Sequence, residues 1–305
     1  MIQSRKRTSP KDRPATLSFP DHLAVRLESY IEGLEYGEDE YVAPLREAMR
    51  YSLLAGGKRV RPVLLMATGA VFGGDPQELL PTAAALEMIH TYSLIHDDLP
   101  AFDDDNLRRG KPTCHVRYGE SVAILAGDAL FAEAFRLICQ KQQAAPAAKL
   151  AVMEEVAVST GVKGMVGGQF LDVYGIPGEG PDTVRLLHSL KTGRLIMACV
   201  RCGAILSGAP EEQTARLTAF AAELGLLFQI KDDILDVVGE TVELGKQAGT
   251  DARLDRHTYV SVYGLRESER LAAESREKAL AELGQVRGET VDLAGITNYI
   301  YERRR

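Results

Sequence analysis

Residues 86–105 read LEMIHTYSLIHDDLPAFDDD. Apolar side chains at Leu86, Ile89, Leu94 and Ile95 mark the first part as a buried helix. At its end Asp97, Asp98, Asp103, Asp104 and Asp105 place five carboxylates in nine residues. Like charges at helical spacing destabilise by roughly 0.2–0.5 kcal/mol per pair, and in a partly dry cleft the repulsion grows unless cations sit between them. The same helical period runs outward from this stretch. From Asp21 onward Ala, Leu and Glu recur with helical spacing, and few stretches alternate as strands do. The chain is therefore expected to be all-α. Gly56-Gly57, Gly73 to Pro76, Pro100, Pro146, the Gly175 to Pro181 loop, Gly208-Ala209-Pro210 and the Gly239 to Asp255 stretch punctuate it, which divides it into about ten helices.

No Ser- or Pro-rich linker separates two halves, so residues 21–305 are expected to form one domain. Residues 1–20 differ: Arg5, Lys6, Arg7, Lys11 and Arg13 stand against Asp12 alone, with three prolines. This predicts a disordered, solvated basic arm without the apolar stretch of a secretory signal, on a cytoplasmic protein.

At 45% hydrophobic and 26% charged residues the 305-residue chain excludes collagen-like and disordered classes. No apolar run approaches the ~20 residues of a membrane span. The 36 basic and 43 acidic residues give −7, which argues against nucleic acid or an anionic membrane as partner. An anionic ligand must then meet a local basic site. Four cysteines, Cys114, Cys139, Cys199 and Cys202, form no disulfide framework and suit a reducing compartment. Cys199 and Cys202 lack the partners that would complete a zinc site, and read as small residues on a buried helix.

A second acidic cluster, Asp232-Asp233-Ile234-Leu235-Asp236, follows the apolar stretch Leu224 to Ile230. Asp232 and Asp236 are four apart, hence on one helical face, and Gln229 shares that stripe. Leu99-Pro100 interrupts the first helix, so Asp97 and Asp103 can converge outside helical spacing. Hard oxygen donors without cysteine suit Mg²⁺, which binds one or two carboxylates and fills its other positions with water and phosphate oxygens. The ligand is then expected to be a phosphate. Basic residues stand where such a ligand needs them: Lys58, Arg59 and Arg61 on the Gly56-Gly57 turn, Arg108 and Arg109 after the first cluster, then Lys191 and Lys246. Each alone reads more readily as solvated surface. His90, seven residues before Asp97, shares its stripe, and alone reads as an ordinary core histidine.

Gly56 to Pro62, His96-Asp97-Asp98-Leu99-Pro100, Asp103 to Asp105 with Leu107 to Gly110, Gly164 to Gln169, Lys191-Thr192-Gly193 and Gln229 to Asp236 together resemble the trans-isoprenyl diphosphate synthases. The likeness runs from about residue 45 to 263. Within the family the chain is most similar to bacterial farnesyl diphosphate synthases. The resemblance implies a helical bundle around a deep central cavity, usually a homodimer, that joins an allylic diphosphate to isopentenyl diphosphate. It implies Mg²⁺, with Mn²⁺ as a substitute, at Asp97, Asp98, Asp103, Asp104, Asp232 and Asp236. Lys58, Arg61, His90 and Arg109 match the isopentenyl diphosphate positions. Arg108, Lys191, Thr192, Gln229, Lys246 and Arg256 match the allylic diphosphate and cation positions, and Gln169, Asp172 and Asp233 supporting ones. Arg256-His257-Thr258-Tyr259-Val260 departs from the family's usual Lys-x-Thr-Tyr-Pro, which exchanges an ammonium for a planar fork. Tyr92 and Ser93, five and four residues before Asp97, match the positions that limit chain length. An aromatic residue there implies farnesyl diphosphate as product, with geranylgeranyl diphosphate the alternative.

Other readings are weaker. A metal phosphohydrolase built on His96-Asp97 leaves the second aspartate cluster unexplained. A terpene cyclase usually carries an Asn/Ser/Glu-type second motif. A non-catalytic subunit of a heteromeric synthase has typically lost the aspartates that this chain keeps.

Overall fold

Proline and glycine set the helix starts. The computed structural model describes residues 18–175, 180–238 and 258–303. Its first half contains α1 (Asp21–Glu32), α2 (Ala43–Leu53), α3 (Val60–Val71), α4 (Pro76–Asp97), α5 (Cys114–Tyr118), α6 (Glu120–Lys141) and α7 (Pro146–Thr160). There follow α8 (Met165–Tyr174), α9 (Pro181–His188), α10 (Arg194–Leu206), α11 (Glu211–Val238), α12 (Tyr259–Tyr263), α13 (Leu265–Leu283) and α14 (Val291–Glu302). Pro76, Pro146 and Pro181 each open a helix, where the missing N–H is one the first turn leaves unbonded in any case. Asp75 caps α4 by accepting from the Gln77 N–H at 2.9 Å.

The architecture is all-α. Among the described residues the exception is a short hairpin, β1 (Leu107–Arg108) against β2 (Lys111–Pro112), that the helical period did not suggest. Its two-residue loop, Arg109-Gly110, has positive φ at both positions, the arrangement whose twist suits a tight hairpin.

Helix α4 runs through the centre, with α3 and α6 packed along it, and α11 packs between α10 and α13. Leu86, Ile89, Leu130, Val200, Phe220 and Leu224 are fully buried, and each contributes roughly 1.5–3 kcal/mol relative to exposure. Cys199 and Cys202 are buried and free on α10, as small core residues. Packing begins ahead of the expected boundary at Asp21: Phe19 is buried, its ring 4.9 Å from that of Tyr299. The basic arm through residue 17, Lys246 and Arg256 lie outside the described residues. Among the described residues no helix is long and apolar enough to cross a membrane.

Candidate active site

The C-terminal ends of α4 and α11 open into one cavity of about 700 Å³. Pro100 ends α4, and the chain folds back so that the Asp103 N–H donates to the Asp97 carbonyl at 2.9 Å. That bond brings two carboxylates six residues apart to one wall, where both line the cavity. Asp232, Asp233 and Asp236 line it from α11, on the stripe that also carries Gln229. Among the described residues no three His, Cys, Asp or Glu side chains form a closed metal set. The donors are instead divided between two walls. Such hard oxygens fit Mg²⁺ that completes its shell with ligand oxygens and water.

Asp98 and Asp104 are placed differently from Asp97 and Asp103: neither lines the cavity. Asp98 is buried and accepts from Arg108 Nε at 2.9 Å, and Asp105 lies 3.4 Å from the same guanidinium. Burial outweighs this pairing and raises the Asp98 carboxyl to about 6. These two aspartates thus aim Arg108, which reaches the cavity. Asp104 is exposed, at a left-handed φ of 52°.

The Gly56-Gly57 turn does not present all three of its cations to a ligand. Arg59 adopts a left-handed φ of 53° and turns inward. Its guanidinium donates to Glu87 at 2.5 Å, Glu28 at 2.6 Å and the Leu53 carbonyl at 2.7 Å. Lys58 also stays off the cavity lining, 3.5 Å from Asp21 and above the Phe19 and Tyr299 rings. Arg61, His90 and Arg109 do line it. Arg61 Nη1 is 3.3 Å from His90 Nε2. Burial, and then the charges of Arg61 and Arg109, hold the His90 imidazole well below its ordinary range. It is therefore neutral at physiological pH.

On the opposite side, Lys191 and Thr192 stand on a π-helical turn, Ser189–Gly193, between α9 and α10. Such turns are rare and frequent at functional sites. Gly168 of α8 makes room for it: a Cβ there would lie 2.3 Å from the Lys191 backbone nitrogen. Lys191 Nζ pairs with Asp172 at 2.6 Å. The Thr192 hydroxyl donates to Gln229 Oε1 at 2.8 Å, and Gln229 Nε2 donates to Asp233 at 2.7 Å. Asp233 also accepts from the Tyr259 N–H at 2.7 Å and lies 3.5 Å from His188 Nε2. Tyr92 and Ser93 line the cavity from α4.

Residues 42–293 match the polyprenyl synthetase family model. The farnesyl diphosphate synthase of Haemophilus influenzae is 43% identical over 92% of this chain and 96% of its own length. A geranylgeranyl diphosphate synthase from Cyanophora paradoxa is 44% identical over 84% of this chain and 87% of its own. The crystal structure of a geranyltransferase from Helicobacter pylori, complexed with magnesium and isoprenyl diphosphate, superposes with a TM-score of 0.84 at 31% identity. That superposition covers 97% of this chain and 98% of the other. The chain belongs to the polyprenyl synthetase family.

Phe228, which lines the cavity of this polyprenyl synthetase, and Arg303, which packs against it, escaped the sequence reading. Phe228 stands between two guanidinium groups, Arg61 at 5.3 Å and Arg303 at 4.2 Å from the ring centroid. Its position inside the apolar run Leu224 to Ile230 reads only as core. Arg303 further donates to Asp232 at 2.5 Å and to the Phe228 carbonyl at 3.0 Å. Nothing in a terminal run of arginines distinguishes it from solvated surface.

Proposed function

We propose that this protein condenses isopentenyl diphosphate with dimethylallyl and geranyl diphosphates to give farnesyl diphosphate, releasing diphosphate. One observation carries the reading: a single cavity is lined by Arg61, Arg108, Arg109 and Lys191, by neutral His90, and by aspartates from both α4 and α11 and the loop after α4. Two diphosphates held apart but with their reacting carbons adjacent convert a bimolecular encounter into a local one.

Asp97 and Asp103 on one wall, with Asp232 and Asp236 on the other, would hold Mg²⁺. Bound there, the ion supplies positive charge against the negative charge that develops on the departing diphosphate. Lys191 and Arg108 grip the same leaving group. The Asp172 carboxylate fixes the Lys191 ammonium, so no reorientation is needed as the carbon–oxygen bond breaks. The Thr192 oxygen and the Gln229 amide, held in register by Asp233, set partial negative charge beside the allylic cation. Arg61, His90 and Arg109 keep the second diphosphate in place while its double bond attacks that cation, and transfer of a proton from the resulting cation to the released diphosphate completes the new double bond. His90, being neutral, acts as a hydrogen-bonding partner rather than as a charge.

Tyr92 favours a three-unit product over the four-unit alternative, because an aromatic ring stands where a longer tail would pass. Mn²⁺ serves as a substitute for Mg²⁺ because its ligand preferences are the same hard oxygens. A homodimer is supported by the exposed Ile124 and Leu125 on α6 and Val158 on α7, which a second copy would cover. A cytoplasmic setting is supported by four free cysteines.

The test is a comparison of variants. Asp97→Ala and Asp232→Ala should each lower kcat about 100-fold or more with the fold retained. Arg61→Ala should raise KM chiefly for isopentenyl diphosphate, and Lys191→Ala should act chiefly on the allylic substrate. Near-native turnover in either aspartate variant, or equal changes in both KM values, would contradict the assignment.

A further inference from the structure

Glu87 lies beneath the cavity on α4, 1% exposed. Its Oε1 atom faces two arginines at once, Arg59 Nη1 at 2.5 Å and Arg109 Nη2 at 4.0 Å. Arg109 spans from there to the Gly56-Gly57 turn, donating to the Gly56 carbonyl. It crosses so close above Gly57 that a Cβ there would lie 2.8 Å from the guanidinium carbon. Both arginines occupy left-handed backbone positions, with φ of 53°, a conformation that L-residues adopt at a cost and keep only where surrounding contacts dictate it. The turn after α2 and the hairpin after α4 are thus brought together over one buried carboxylate.

We propose that Glu87 is the positioning residue of the isopentenyl diphosphate site, a buried counter-charge that holds Arg109 aimed at the diphosphate and, through Arg59, pins the Gly56–Arg61 turn. The inference rests on the reading of Arg109 as a ligand of that diphosphate.

Several cations converge here, and burial works against the charged form of each. Glu87 favours the charged form of Arg59, Arg61 and Arg109; at Arg59 its pairing prevails over burial, whereas at Arg61 and Arg109 burial prevails, and neighbouring guanidinium groups add to it at Arg109. A surface carboxylate would be screened and mobile. A buried one is neither, so its geometry is passed on to the groups it holds. Glu28, the other carboxylate on Arg59, is partly exposed and makes no contact with Arg109, so it stabilises the turn without aiming the second arginine.

Two opposite effects on anion binding follow from neutralising Glu87. If it only stabilises the fold, removing its negative charge leaves a more positive site, and the diphosphate binds more tightly. If it aims Arg109, the bidentate geometry is lost and binding weakens. Steady-state kinetics on full-length Glu87→Gln, Glu28→Gln and Arg109→Ala separate these outcomes, with urea midpoints measured in parallel. Glu87→Gln should raise the KM for isopentenyl diphosphate about 5- to 10-fold, leave the KM for geranyl diphosphate within twofold, and change kcat little. Glu28→Gln should lower the urea midpoint without moving either KM.

If Glu87→Gln does not fold, Glu87→Asp carries the same test, since it keeps the charge but withdraws it by one methylene. A selective rise in the isopentenyl KM supports the role, and an unchanged value overturns it. A lowered or unchanged isopentenyl KM in folded Glu87→Gln, or an equal rise in Glu28→Gln, overturns the positioning role while leaving the site intact. An unchanged KM in Arg109→Ala overturns the site assignment, and the role of Glu87 with it.

Discussion

The chain-length role proposed for Tyr92 rests on its depth along the cavity wall. Five residues before Asp97, Tyr92 stands about 7.5 Å deeper along α4 at a rise of 1.5 Å per residue. Spacing alone does not decide whether it faces the cavity, since Ser93 lies closer in angle to Asp97. In the structure both line the cavity. The Tyr92 ring meets Phe131 edge-on at 5.1 Å and His96 at 5.4 Å, so neighbours on α4 and α6 hold it in place. Tyr92→Ala should therefore lengthen the main product to four isoprene units or more, at a stability cost of about 2–4 kcal/mol from the vacated volume. Chromatography of the dephosphorylated products and a urea titration check both, and an unchanged product length would place the floor elsewhere.

At the scale of elements, the π turn at Ser189–Gly193 is what presents Lys191 and Thr192, and it depends on the close approach of α8. Gly168→Ala would drive a Cβ into the Lys191 backbone, with no flexible side-chain end to yield. The expected cost is about 1–3 kcal/mol in stability, together with a fall in kcat at saturating substrates. A variant with native kcat would show that the turn tolerates displacement. This element was not legible in the sequence, because a single extra residue in a helical run leaves the apolar period almost unchanged. The helix starts were legible, since Pro76, Pro146 and Pro181 act locally through a missing N–H. The inward turn of Arg59 and the hairpin at Arg109-Gly110 were not, because tertiary partners such as Glu87 and Gly56, distant in sequence, hold these arginines at positive φ. Asp98 shows the same limit. Composition marks it as one carboxylate of a cluster, and only the fold shows that it aims Arg108 instead of lining the cavity.

Across the whole molecule, two acidic walls and basic residues from distant parts of the chain meet in one cavity, within a protein of net charge −7. Their pairing was legible because apolar helices ending in aspartates have few other uses, whereas the roles of Phe228 and Arg303 depend on where the C-terminal helix docks. Burial of His90, together with the basic cluster around it, also leaves a mark on stability. His90 is held neutral in the folded state, while in the unfolded chain it takes a proton near its ordinary 6.5. Its contribution is thus fully present above about pH 6.5 and is lost as pH falls below that value, at no more than about 1.4 kcal/mol per pH unit. Urea unfolding at pH 7.5 and 5.5 should show wild type losing more stability than His90→Gln, and equal losses would contradict a neutral His90. The most direct test of the whole account is product length. The protein is incubated with Mg²⁺, isopentenyl diphosphate and either dimethylallyl or geranyl diphosphate, with a chelator control. Farnesyl diphosphate from both primers, abolished by the chelator, is the predicted result. Mainly four-unit or longer chains, or no condensation at all, would contradict it.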